Sequence, residues 1–195
     1  MITPTDLRNI IARPYWFKQV CSDLERHEGF RQFAYPDPLS FIGKNYSNPK
    51  YKWGFRPARQ ILAELGLSEA QGRPWTVGHG FTAGVNVDSS MTKEQSLRRL
   101  GDEIMKHVQG LDNLLPNWQK TFPLYAATVV ANLAYNIGIE KLAKFDTTLS
   151  LLNQGKYAMA GINLRKTAWF KQVKSRGLEL VQRLESGKIE QEHLV

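Results

Sequence analysis

The sequence predicts an α+β chain, mostly helical, with a small lobe carrying hairpin strands near residues 30–82 and a larger helical lobe after about residue 91. Three observations lead there. Two short stretches rich in β-branched and aromatic residues, "FRQFAY" and "WTVG", are bounded by Pro and Gly. Apolar residues at helical spacing dominate from residue 92 onward. Between the strand candidates, residues 38–75 change texture, with frequent Pro, Gly and Asn and aromatic residues scattered among basic ones. A length of 195 residues suits one sizeable domain or two intimately packed lobes, and no internal repeat is visible.

Taken in order, "TPTDLRNIIA" reads as an extra helix at the start. "PYWFKQVCSDLERHEG" is the next, opened by Pro14 and stopped by Gly29, with Phe17, Val20, Cys21 and Leu24 as its predicted buried face. Glu28 is the last side chain before that stop. "FRQFAY" is a short strand ending at Pro36 and Pro38, and "PARQILAEL" a short helix between Pro57 and Gly66. "WTVGHGFTAG" is strand and tight turn; its glycines lack the spacing and context of a dinucleotide fingerprint. Thr92 and Gln95 form a capping box for a helix whose stripe is Leu97, Leu100, Ile104, Val108, Leu111 and Leu115, ended by Pro116. The apolar run Phe122–Ile137 is too short for a membrane span and reads as a core helix stopped by Gly138. Asp146 is expected to cap "TTLSLLNQG", closed by Gly155, and short helices over 156–165 and 177–186 complete the chain.

A net charge of +8 calls for an anionic partner, and nucleic acid, acidic lipid and bacterial cell wall all qualify. The aromatic and basic mixture of residues 38–75 lacks the strand-borne pattern of a single-strand-binding module, so a solvated subdomain is the expectation there. Cys21 is the only cysteine, which rules out an internal disulfide and agrees with a reducing compartment. The N-terminus lacks the basic start, apolar stretch and cleavage site of a secretory signal, so accumulation in a cytoplasm is expected. His27, His79, His107 and His193 lie far apart without metal-ligand spacing; no metal and no cofactor are expected.

The stretch "RHEGFRQFAYPDP" places Glu28 and Asp37 nine positions apart. Cleaving a glycosidic bond needs two carboxyl groups in different environments, one kept protonated and one ionised. A glutamate shielded at a helix end suits the first task, and an aspartate on a polar strand or turn the second. Two solvated charges would look the same at this level.

The neighbouring residues resemble a known pattern. "HEGFRQFAYPD" followed by "WTVGHGFT" resembles the signature of phage-type lysozymes: Glu-Gly, a basic residue, Tyr, Asp, then Thr-aliphatic-Gly-x-Gly. "NLAYNIG" resembles that family's central helix and its ending, and "FDTTLSLLNQGKYAMAGINL" its following pair of helices. The resemblance runs in family order over about residues 20–187 and implies a bilobed fold with a cleft between the lobes. It implies a catalytic triad of Glu28, Asp37 and Thr76, and places Arg176 where some members keep an arginine paired with the catalytic glutamate. His79, Tyr135, Asn136, Thr148 and Asn163 follow as cleft-lining positions, although a structural role is favoured for His79.

The chain departs from the pattern in three places. Thirty-eight residues separate Asp37 from Thr76 where the family has a handful, so 38–75 is expected to be an insertion at a hairpin tip. The histidine of "GHGFT" comes two places early, and residues 1–19 are an N-terminal extension. The resemblance implies a monomeric endolysin acting on peptidoglycan glycan strands, with no nucleic-acid partner and no stable membrane association. It would wait in the host cytoplasm until a holin opens the way to the periplasm. A lytic transglycosylase, a tail-associated virion lysozyme and an inactive wall-binding protein are the alternatives.

Overall fold

The computed structural model describes residues 14–189; the helix expected at residues 3–12 and the end of the C-terminal "KIEQEHLV" lie outside them. In chain order the elements begin with α1 (Phe17–Glu28), β1 (Arg31–Pro36), α2 (Phe41–Asn45) and a 3-10 turn at Pro49–Tyr51. Next come α3 (Ala58–Leu65), a second 3-10 turn at Glu69–Gly72, β2 (Trp75–Gly78) and α4 (Lys93–Val108). Then follow α5 (Leu111–Leu114), α6 (Trp118–Thr121), α7 (Leu124–Ile137) and α8 (Ile139–Leu142). The last are α9 (Asp146–Asn153), α10 (Tyr157–Leu164) and α11 (Ala168–Ser186). The fold is α+β and mostly helical, as the sequence predicts. Contacts group residues 24–102 into one compact unit, and residues 14–23 with 103–189 into another.

The first unit is built on an antiparallel pair of strands. Tyr35 lies opposite Thr76 and Pro36 opposite Trp75, with an irregularity between Arg31 and Tyr35. The other edge of β1 is also occupied: Ala34 N–H donates to the Ser89 carbonyl at 2.9 Å, and Met91 N–H to the Gln32 carbonyl at 2.8 Å. Phe33 N–H donates to Gly54 at 3.0 Å, and only a glycine fits there, because a Cβ would fall 2.6 Å from Arg31 Cδ. The residues between the strands fold onto them. Ala34, Ile42, Ala58, Leu62, Trp75 and Val87 form a small buried core, on which Tyr46, Trp53, Leu67 and Val85 pack. Pro57 opens α3 and Gly66 closes it in the left-handed conformation, as the Pro and Gly positions predict.

The second unit centres on α7, buried throughout from Ala126 to Ala134. Helix α10 packs on both α9 and α11, and α11 packs on α7. Three expectations change here. The stripe from Leu100 to Leu115 is buried, but its helix ends at Val108 and restarts at Leu111. Gly110 makes the break, where a Cβ would lie 2.9 Å from the Ile139 side chain. Asp146 is the first helical residue of α9 rather than its cap, a place where its charge favours the helix N-terminus. The last helix starts at Ala168, capped by the Thr167 hydroxyl accepting from Phe170 N–H at 3.2 Å, well before the expected residue 177. Gly177 suggested a boundary but is a packing glycine, its missing Cβ leaving room for Val173 at 2.6 Å.

The buried face of α1 also differs. Trp16, Val20, Asp23 and Leu24 are inside, while Phe17 and Cys21 are only half-buried. The stripe turns because Asp23 has a partner: Arg183 on α11 donates to its two carboxylate oxygens at 2.6 and 3.2 Å. Arg183 also donates to Glu179 at 2.9 Å. Asp23 and Arg183 are only 1% and 5% exposed, so removing Asp23 takes away the bidentate partner of a buried arginine and leaves it Glu179 alone, against a cost of about 3–5 kcal/mol for breaking a buried pair. Asp23→Ala is expected to lower Tm by roughly 6–20 °C at about 2–4 °C per kcal/mol. Asp23→Leu/Arg183→Met, which removes both charges, is expected to recover much of the loss. Calorimetry of the three proteins checks this, and an Asp23→Ala Tm within about 2 °C of wild type would contradict it.

Candidate active site

Glu28 ends α1 because Gly29 follows at φ +64, a left-handed stop whose N–H donates to Glu25 at 3.1 Å. The Glu28 side chain is exposed rather than shielded by its helix, a departure from the expectation of a packed acid. The stop nevertheless aims it. A Cβ built on Gly80 would lie 3.5 Å from Glu28 Oε2, so the carboxylate rests against the turn that follows β2.

That turn explains the Gly-x-Gly spacing. Val77 and Phe81 exchange backbone hydrogen bonds at 2.9 and 3.0 Å, which forces Gly78 to φ +67 and Gly80 to φ +89. The missing side chain of Gly78 also admits Ser96, whose Oγ would lie 2.4 Å from a Cβ there. Ser96 Oγ accepts from the His79 N–H at 3.0 Å and lies 2.7 Å from His79 Nδ1. His79 is 1% exposed, tilted against Phe30 with ring centroids 5.5 Å apart, and its Nε2 has no partner among the described residues. Burial lowers its pKa; the charges of Glu25 and Glu28 oppose that shift and Lys93 adds to it.

The strand register supplies the rest. Residues directly opposite in an antiparallel pair present side chains on one face, so Tyr35 and Thr76 share a face. Thr76 is buried. Burial pushes the Tyr35 hydroxyl pKa up, Arg31 pulls it back, and the nearby Glu28 charge adds to the rise. Asp37, two residues beyond Tyr35, is half-buried, and its N–H donates to Pro74 at 3.0 Å and Gly72 at 3.3 Å. Its carboxylate accepts from Leu39 N–H at 2.7 Å. Asp37 is thus held beside the residues leading into Thr76 despite the long connection between them. Asp88, another acid of this unit, is bound by Arg59 at 2.5 and 2.6 Å, which keeps its carboxyl below the ordinary range.

The remaining expected site residues belong to the helical unit. Asn136 accepts from Trp169 Nε1 at 2.7 Å, and buried Thr148 donates to Asn163 at 2.8 Å. Tyr135 lies against His107, ring centroids 5.2 Å apart, and Arg176 is half-buried on α11. Tyr35 and Ser96 were not expected at the site. Tyr35 stood within the quoted motif, but its neighbours show only once the strands pair. No group of three or more His, Cys, Asp or Glu among the described residues is placed to hold a metal, and no described helix is long and apolar enough to cross a membrane.

Residues 63–186 match the Phage lysozyme family. The chain belongs to that family. Membership carries a lysozyme-type peptidoglycan hydrolase, a glycosidase. No curated protein matches the chain. Thr76 and the helical segments fall within the matched span, whereas Glu28 and Asp37 precede it. Their assignment in this lysozyme rests on the local motif and on the strand geometry described above.

Two outcomes follow for the turn. Gly78→Ala is expected to cost more stability than Gly84→Ala. Both glycines have positive φ, worth about 1–2 kcal/mol to an L-residue, but only Gly78 meets Ser96 while nothing lies within 4 Å at Gly84. Equal urea midpoints for the two variants would remove the steric role given to Gly78. For His79, the folded pKa lies below its ordinary 6.5, so below about pH 6.5 the unfolded chain takes up the proton first. Stability should therefore fall as pH drops from there toward the folded pKa. His79→Gln is expected to flatten that fall, read as the Tm difference between about pH 7.5 and 5.5. Parallel Tm profiles would show that His79 carries none of it.

Proposed function

We propose that this chain is an endolysin that hydrolyses the β-1,4 bond between N-acetylmuramic acid and N-acetylglucosamine. The observation that carries the reading is the hairpin register, which pairs Tyr35 with Thr76, holds Asp37 at Pro74, and precedes the turn against which Glu28 rests. In this mechanism Glu28 gives its proton to the leaving glycosidic oxygen. Asp37 and Thr76 position or activate the water that attacks the other face of the sugar. The exposure of Glu28 in the free chain suits a group that a bound glycan must reach, the sugar supplying the shielding that the helix does not.

The working partner is the glycan strand of peptidoglycan, with no nucleic acid, no stable membrane association and a monomeric enzyme. It waits in the host cytoplasm until a holin opens the inner membrane, then acts in the periplasm. Expressed alone, it should leave the culture intact until chloroform or a holin is supplied. Lysis on expression without either would count against this delivery.

Glu28→Gln is expected to lower lysis of permeabilised Gram-negative cells by about 10²–10⁴-fold, the usual worth of a general acid, with Tm unchanged or raised. Retention of more than about a tenth of the wild-type rate would remove Glu28 from the role of acid. Asp37→Asn and Thr76→Ala are expected to be impaired as well. Mass spectrometry of the products separates hydrolysis from transglycosylation, since a transglycosylase leaves anhydro-sugar ends.

A further inference from the structure

The segment between the strands sorts its charges. Beyond Asp37, residues 38–75 carry six basic residues against only two acids, Glu64 and Glu69. The arginines are all engaged: Arg56 with Glu64, Arg59 with Asp88 and Glu69, and Arg73 with Glu69 at 2.7 Å. Lys44, Lys50 and Lys52 are exposed and have no carboxylate partner among the described residues. The arginines therefore build this subdomain, and the lysines are left for something else.

What lies beside them is aromatic. Phe41, Tyr46 and Tyr51 form a continuous ridge, with ring centroids 6.3 and 5.7 Å apart, and Lys50 Nζ sits 4.9 Å above the Tyr51 ring. Phe41 is 50% exposed and neighbouring Leu39 77% exposed, both on a segment that water alone would not favour. The ridge is also locked to Asp37. Ser40 Oγ donates to the Asp37 carbonyl at 2.7 Å and accepts from Gly43 N–H at 3.0 Å. A Cβ on Gly43 would fall 2.0 Å from that same carbonyl, so α2 is seated directly on the backbone of Asp37.

We propose that Leu39–Lys52 is an accessory docking surface for peptidoglycan that carries its stem peptides. Sugar faces stack on the Phe41–Tyr46–Tyr51 ridge, and stem-peptide carboxylates meet Lys44, Lys50 and Lys52. The inference rests on the lysozyme reading above and adds to it a preference for peptide-bearing over bare glycan. Ring faces suit the apolar faces of sugars, and ammonium groups that have no carboxylate partner suit the free carboxylates of a stem peptide. Anionic lipid and single-stranded nucleic acid share the charge requirement, but neither explains why the ridge is fastened to Asp37.

The test is sedimentation binding in the Glu28→Gln background, which keeps the substrate whole. Purified sacculi, glycan strands stripped of stem peptides by an amidase, phosphatidylglycerol vesicles and single-stranded DNA serve as probes. Lys44→Gln/Lys50→Gln/Lys52→Gln is expected to bind intact sacculi about tenfold more weakly, with stripped strands nearly unaffected. Phe41→Ala is expected to weaken binding to both. Thermal melts verify that the variants fold. Unchanged binding of the triple variant to intact sacculi overturns the proposal, as does a loss confined to vesicles or DNA. A wild-type chain that fails to clear purified sacculi would instead sink the hydrolase mechanism, and the binding comparison would still decide the docking surface.

Discussion

Two strands of six and four residues do not hold a register on their own, yet the candidate site depends on theirs. A slip of one residue would send Thr76 to the opposite face from Tyr35. The register is held from three directions. Residues 89–91 hydrogen-bond the free edge of β1 while Gly54 accepts from Phe33 where the pairing with β2 is irregular, the Trp75 and Ala34 side chains enter a shared core, and the Val77–Phe81 turn closes the far end. The long connection between the strands is therefore part of what positions Asp37 and Thr76, since its apolar residues Ile42, Ala58 and Leu62 complete that core. Its length leaves the pairing intact because its two ends enter adjacent, paired strands.

The glycines near the site are constrained for different reasons. Gly29, Gly78 and Gly80 adopt positive φ, and Gly80 additionally offers Glu28 a surface without a side chain. Gly43 and Gly54 yield to close neighbours, the Asp37 carbonyl and the Arg31 stem. Each converts a short stretch of sequence into a tight approach between elements, which is how a few residues around Glu28, Tyr35 and His79 come within electrostatic reach of one another.

In the helical unit the organising polar contact is Asp23 with Arg183. Both are buried, and the carboxylate receives two hydrogen bonds from the arginine, so the pair sets which face of α1 turns inward at Asp23. Around it the core is apolar and aromatic, with Trp16 and Trp118 fully buried and 5.0 Å apart.

Much was legible in the residues taken in order. Stops and starts at Gly29, Pro57, Gly66 and Gly138 fall where the structure has them, because a ring-locked φ or a missing Cβ acts locally, whatever surrounds it. The Thr92–Gln95 capping box forms for the same reason, its two hydrogen bonds at 2.8 and 3.1 Å spanning three residues. Glu28, Asp37 and Thr76 were also visible as a motif. What the linear pattern left open depends on partners distant along the chain. Asp23 lay outside the predicted buried face, and Arg183, 160 positions away, takes it inside and turns that face. Residue 177 looked like the start of the last helix until the Val173 side chain occupied the place of the Gly177 Cβ. Tyr35 and Ser96 acquire roles only when the strands pair and α4 is seated, and the three lysines of the ridge stand out only once every neighbouring arginine has found its carboxylate. Periodicity records what one residue prefers; it carries no information about which distant charge or side chain will meet it.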